Sequence, residues 1–353
     1  MKNSSRSIFI LIQSLLGLLF SITVLTVFIL VLVILQFKNN PVSSPSLTEK
    51  TLSPPSRPIP LNSSLISKED LWKAPDWTTV VNEPNAKQIQ YGKELIAHTS
   101  EYLGPEGKVK KISNGLNCQN CHLEAGTAPL GNNFSAVAST YPKIRARSGQ
   151  SEGIPQRING CFERSLNGQA LDRDSEEMAA MVAYMEWLGK DVPKGSRPEG
   201  SGIYSVPLLE RAADPIMGKT VYDKQCASCH GTEGQGLKQA SGTSYIYPPL
   251  WGKNSYNDGA GLYRLSRFAG YVKANMPLGA TFERPLISDE EAWDLAAYVN
   301  SMERPSKDTS SDWPDISKKP MDHPFGPYSD PFTETQHKFG PFQPILTANA
   351  QIK

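Results

Sequence analysis

The chain has 353 residues, 39% of them hydrophobic and 20% charged, with a net charge of +1. That length accommodates a membrane segment and two small domains. The near-neutral charge gives no ground for nucleic-acid or polybasic lipid binding, so no nucleic-acid partner is expected.

Residues 1–7 hold Lys2, Arg6 and the amino terminus and read as a cytoplasmic end. Residues 8–37 contain no charged side chain. A helix needs about 20 apolar residues to cross a bilayer, so an N-terminal transmembrane anchor is expected there. The run is longer than the apolar part of a signal peptide, and no A-x-A-like site follows Phe37. Residues 38–73 are rich in Pro and Ser, cannot build a core, and read as an extended linker. A first domain is expected over 74–192, a linker over 193–207 and a second domain over 208–302. The tail, 303–353, is rich in Pro and aromatic residues and is expected to pack as a strap over a domain.

The two domains share one plan. Tyr91-Gly92-Lys93 opens an apolar helical pattern in the first, and Met217-Gly218-Lys219 does so in the second. Each closes with a helical pattern, Asp174 to Leu188 and Ser288 to Met302, and Ser288-x-x-Glu291 is a capping-box signature. Ala183-Tyr184 and Ala297-Tyr298 set the two closing helices 114 residues apart. No stretch alternates with period 2, so the class expected is all-α.

Each domain also carries a C-x-x-C-H motif: Cys118-Gln-Asn-Cys121-His122 and Cys226-Ala-Ser-Cys229-His230. Two cysteines at this spacing reach the two vinyl groups of one haem, and the adjacent histidine supplies the proximal iron ligand. A zinc knuckle, a redox pair or a disulfide would not explain two copies inside two repeats. Two haem c groups are therefore expected, attached through Cys118, Cys121, Cys226 and Cys229, with His122 and His230 on the irons. The architecture expected is an N-terminal transmembrane helix followed by two class I cytochrome c-like domains. Haem c is attached outside the cytoplasm, so the domains are expected to be membrane-anchored on the periplasmic or extracytoplasmic side.

In the second domain Met276 lies 46 residues after His230 and is the leading distal ligand, with Asn275 and Lys273 as alternatives. The first domain's Met178, Met181 and Met185 fall on one helical face and read as packing. The offset of 114 residues instead carries Asn275 back to Cys161, the cysteine left over after haem attachment. A buried thiol and an intermolecular disulfide are alternatives, but the position favours a thiolate on the iron, which lowers its potential. Lys143, Arg145, Arg147, Arg157 and Arg164 surround this cysteine in sequence, against only Glu124 and Glu152 between His122 and Cys161. Guanidinium groups in such number fit an anionic, oxygen-rich substrate.

The run Tyr141-Pro-Lys-Ile-Arg-Ala-Arg147-Ser-Gly, followed by Gln156-Arg-Ile-Asn-Gly-Cys161-Phe-Glu-Arg-Ser165-Leu-Asn-Gly, resembles the dihaem thiosulfate dehydrogenase family. The likeness extends from about Ala74 to Ile345. It implies an enzyme that joins two thiosulfates into tetrathionate, a reaction some members run in reverse. By the same resemblance His122 and Cys161 ligate the active-site haem, Arg147, Arg157 and Ser165 bind substrate, and His230 with Met276 holds an electron-transfer haem. The implied partners are thiosulfate or tetrathionate and an external electron acceptor or donor, such as a small cytochrome or a membrane redox complex. A membrane-anchored dihaem electron carrier and a thiosulfate-conjugating cytochrome are the rival readings.

Overall fold

The computed structural model describes Ser21 and residues 23–25, 69–240 and 242–351. The chain divides into two units, 1–62 and 63–353, and in the first the four described residues are helical and exposed. All that follows concerns the second unit.

The expected membrane-spanning helix over 8–37 lies almost wholly outside the described residues. Among the described residues no helix is long and apolar enough to cross a membrane. The longest have 13 residues, or about 20 Å of helix against about 30 Å of bilayer hydrocarbon. The architecture is therefore corrected to two helical cytochrome c domains, with no transmembrane helix among the described residues. The membrane-anchored localisation depended on that helix and is withdrawn with it.

The first domain runs through α1 (Ala86–Ala97), a short hairpin of β1 (Lys143–Ile144) and β2 (Ser151–Glu152), α2 (Ile154–Arg164) and α3 (Glu176–Leu188). The second repeats the order with α4 (Pro215–Gln225), a hairpin of β3 (Leu237–Lys238) and β4 (Tyr245–Tyr247), α5 (Leu265–Asn275) and α6 (Asp289–Ser301). The tail adds α7 (Glu334–Phe339) and α8 (Gln343–Gln351). Local chemistry sets the starts. Ser175 caps α3 at Met178 N, and Asp214 caps α4 ahead of Pro215. At α6 the capping box forms in both directions, Glu291 N–H to Ser288 at 3.0 Å and Ser288 N–H to Glu291 at 2.7 Å.

In each domain the opening helix crosses the closing helix through a glycine. A Cβ at Gly92 would collide with the carbonyl of Ala180, and one at Gly218 with the carbonyl of Asp294. Ala180 and Asp294 are separated by the same 114 residues, so the repeat in the sequence is a repeated close helix crossing. Leu95, Ile96, Met178, Met181 and Tyr184 fill the first core, and Tyr222, Trp293, Leu295 and Val299 the second. Met178 and Met181 are 1% and 0% exposed, so both act as packing. Full burial of each such side chain contributes roughly 1.5–3 kcal/mol.

Polar contacts join the domains. Asn114 donates to Ser255 O (2.9 Å), Asn257 to Glu163 O (2.8 Å) and Tyr271 to Asn120 O (2.9 Å). The tail packs as a strap: Phe342 and Ile345 are buried in the second core and Trp313 is 9% exposed. Near its end His337 is held between Met321 O (2.8 Å) and Asp330 (2.9 Å), with Tyr328 stacked on the ring.

Candidate catalytic site

A cavity of about 340 Å³ opens between the domains, lined by Cys118, Cys121, His122, Cys161, Arg147, Arg157 and Ser165 among others. Every residue expected at the first haem thus reaches one space. The haem motif follows α1, and its cysteines face an apolar wall that includes Ile96, Phe134 and Phe162. Burial pushes the Cys118 and Cys121 thiols up to about 12. All five cysteines are free, which leaves no disulfide.

Cys161 behaves differently because of its helix. Arg157 and Cys161 lie four apart on α2, on one face, and the Arg157 guanidinium donates to Cys161 Sγ at 3.0 Å. Burial alone would raise this thiol, but the charge on Arg157 and the facing His122 ring outweigh it and bring it down to about 6. His122 sits opposite with Nδ1 2.5 Å from Asn132 O. A proton on Nδ1 donated to that carbonyl leaves Nε2 available for iron. His230 repeats the arrangement, with Nδ1 2.8 Å from Pro248 O.

The cavity's basic side chains fall into two groups. Arg145 is 3.9 Å from Glu152, Arg164 donates to Asp312 at 2.8 Å, and Arg264 is held by Asp322. Those charges are offset. Arg147, 4.0 Å from Asp312, shares that single carboxylate with Arg164, and burial lowers it to about 10. Arg157 has no carboxylate within 4.0 Å among the described residues and turns to Cys161 instead. Ser165 C-caps α2 and borders the same space. Arg197, from the linker, and Arg264 and Arg267, from α5 and its N-cap, also line the cavity and were not expected from the sequence. No local motif marks them; the fold carries them across from another part of the chain.

In the second domain, Lys273 is committed to Ile287 O (2.7 Å) and Asp289 (2.8 Å). Asn275 donates to Leu130 O (3.2 Å) in the first domain and to Tyr271 O (2.9 Å). Met276 C-caps α5 and packs against the second core. Of the three residues weighed as distal ligand, it alone has a side chain without such polar commitments.

Comparison with known proteins follows this division. Residues 108–193 match the family described as SoxA/TsdA, cytochrome c domain, and residues 216–303 match cytochrome c. The thiosulfate dehydrogenase of Psychrobacter arcticus is 40% identical over 244 residues, covering 69% of this chain and 71% of that protein. The chain belongs to the thiosulfate dehydrogenase family. The thiosulfate dehydrogenase of Allochromatium vinosum is 43% identical over 60% of this chain and 79% of its own. Among solved structures, the thiosulfate dehydrogenase TsdBA of Marichromatium purpuratum superposes with a TM-score of 0.62 at 30% identity. That match covers 68% of this chain and half of the other, 50%.

As a member of the thiosulfate dehydrogenase family with two cytochrome c domains, the chain carries two c-type haems. The residues present fit them. Each domain offers a C-x-x-C-H motif whose histidine has Nδ1 engaged by a backbone carbonyl, Asn132 O in the first and Pro248 O in the second. In the first domain a second soft donor, Cys161, faces that histidine.

Proposed function

We propose that this member of the family oxidises two thiosulfates to tetrathionate at the Cys161 cavity, with His122 and Cys161 on one iron and His230 and Met276 on the other. The observation that carries the reading is the Cys161 thiol, held low by Arg157 inside an arginine-lined cavity that also contains the first haem motif. A plain electron carrier has no use for that arrangement.

Joining two dianions demands that their repulsion be offset. Two unit charges about 4 Å apart repel by ~1 kcal/mol in water and by ~4 kcal/mol at the effective dielectric of a protein site. Arg147 and Arg157 meet that cost and, with the Ser165 hydroxyl, align the sulfurs for bond formation. The haems, when bound, accept the two electrons one at a time. Cys161 thiolate forms a sulfur–sulfur bond with the terminal sulfur of the first thiosulfate, and two electrons leave. The second thiosulfate then attacks that sulfur, forms the central bond of tetrathionate, and returns Cys161 as thiolate. Charge balances: a thiolate and one dianion lose two electrons, and the displacement carries no further redox change. Supplied with an electron donor, the same steps run toward thiosulfate. A second haem, held by Cys226, Cys229, His230 and Met276, would supply the route for electrons to an external acceptor such as a small cytochrome.

Cys161→Gly tests this. The variant should keep both haems attached and lose thiosulfate oxidation, assayed for free tetrathionate without any added sulfur carrier protein. Normal turnover in that variant would remove Cys161 from the mechanism.

A further inference from the structure

We propose that Asp312, on the C-terminal strap, is a positioning residue for the reaction: it registers the turn carrying Arg147 against the helix carrying Cys161. The inference rests on the functional reading above and adds to it a part of the chain remote from both haem motifs.

Two separate elements supply the cavity's reactive face. Arg147 lies on the connection between β1 and β2, closed by Gly149 N–H to Arg145 O (2.8 Å) and Arg145 N–H to Gln150 O (2.9 Å). Cys161, Arg157 and Arg164 lie on α2. Asp312 touches both. One carboxylate oxygen accepts from Arg164 at 2.8 Å, and the other lies 4.0 Å from Arg147 Nε, with only 9% of the side chain exposed. Arg164 is also tied to Gly259 O (3.4 Å), so its guanidinium is committed and acts as the fixed end of the bridge.

The neighbours of Asp312 close the same contact. Trp313 N–H donates to Arg147 O at 2.6 Å, and its ring lies 6.0 Å from the Arg147 guanidinium. Trp313 has φ of +61°, which a bulky side chain rarely adopts. Pro314 then lies against Gly149, where a Cβ would sit 2.7 Å from the proline ring and where φ is +68°. Asp312, Trp313 and Pro314 therefore clasp the turn from outside, so tightly that a side chain at Gly149 does not fit. The strap reaches this point from the second domain, where Lys307 N–H is bonded to Asp258 at 2.8 Å.

The geometry separates Asp312 from the groups that meet substrate. Its charge opposes an incoming anion, so its benefit lies in holding Arg147 where the anion must be gripped. Loss of the carboxylate should weaken thiosulfate capture rather than the electron steps.

Asp312→Asn, purified as dihaem protein, should raise KM for thiosulfate about tenfold, the scale of one charge-assisted contact. Its kcat should change by less than about threefold, and the ferric spectrum of both haems should match wild type. Asp312→Glu should restore at least half of the lost kcat/KM. If Asp312→Asn does not accumulate with two haems, Pro314→Ala decides the matter: it loosens the clasp from the strap side without changing the turn, either arginine or the carboxylate, and should show the same rise in KM. A KM unchanged or lowered in whichever of these variants is isolated overturns the proposal, since the carboxylate would then only repel substrate. Failure of the functional reading looks different: wild-type protein would not oxidise thiosulfate at all.

Discussion

Replacing Arg157 by Gln removes the guanidinium that donates to Cys161 at 3.0 Å while keeping a side chain of similar reach. A unit charge about 4 Å from a thiolate is worth roughly 4 kcal/mol at an effective dielectric near 20. The Gln amide and the remaining arginines recover part of this, leaving a deficit of about 2–3 kcal/mol. Spent on transition-state stabilisation, that deficit lowers kcat/KM for thiosulfate by about a hundredfold. Arg157→Lys should recover only about a tenth of wild-type activity, because an ammonium supplies charge without the planar fork of donors. The assay is steady-state thiosulfate oxidation with an artificial one-electron acceptor, on protein whose haem content equals wild type. An Arg157→Gln enzyme with two haems and kcat/KM within about threefold of wild type would refute the reasoning.

Two further outcomes are expected. Burial holds His323, on the strap beside Trp313, down to about 4 from its ordinary 6.5. A base depressed in the folded state favours the fold fully above its unfolded value, and that contribution, about 3 kcal/mol, is lost as pH falls from about 6.5 to 4. The difference in urea midpoint between wild type and His323→Gln should shrink across that window; a constant difference would count against it. Met276→Ala should alter the spectrum of the second haem and admit exogenous ligands, whereas Asn275→Ala should leave that spectrum unchanged and loosen only the contact with Leu130 O. The reverse pattern would transfer the ligand role to Asn275.

The haem motifs were legible without any structure because their chemistry is local. Cys118, Cys121 and His122 must be adjacent in the chain to meet one porphyrin, so spacing alone declares them. The 114-residue offset was legible too, and it led to Cys161 and away from the three methionines of α3. What it could not show was the close helix crossing in each domain, where the lack of a side chain at Gly92 and Gly218 lets the opening helix lie against its partner. A long uncharged run at 8–37 suggested a membrane helix from composition, and no described helix is long and apolar enough to be one.

The charge balance of the cavity belongs to the tertiary structure alone. In the sequence Arg147, Arg157 and Arg164 are equivalent members of one basic run. In the fold Arg164 is paired with Asp312, Arg157 is turned onto Cys161, and Arg147 is left between them. Arg197, Arg264, Arg267 and Asp312 join the site from the linker, the second domain and the tail. The chain's own residues determined that it binds haem and handles an anion, since covalent spacing and residue type are written along it. Which cations remain free to meet that anion was decided by packing, because a charge is offset by whatever lies within about 4 Å of it in space, however far apart the two stand in sequence.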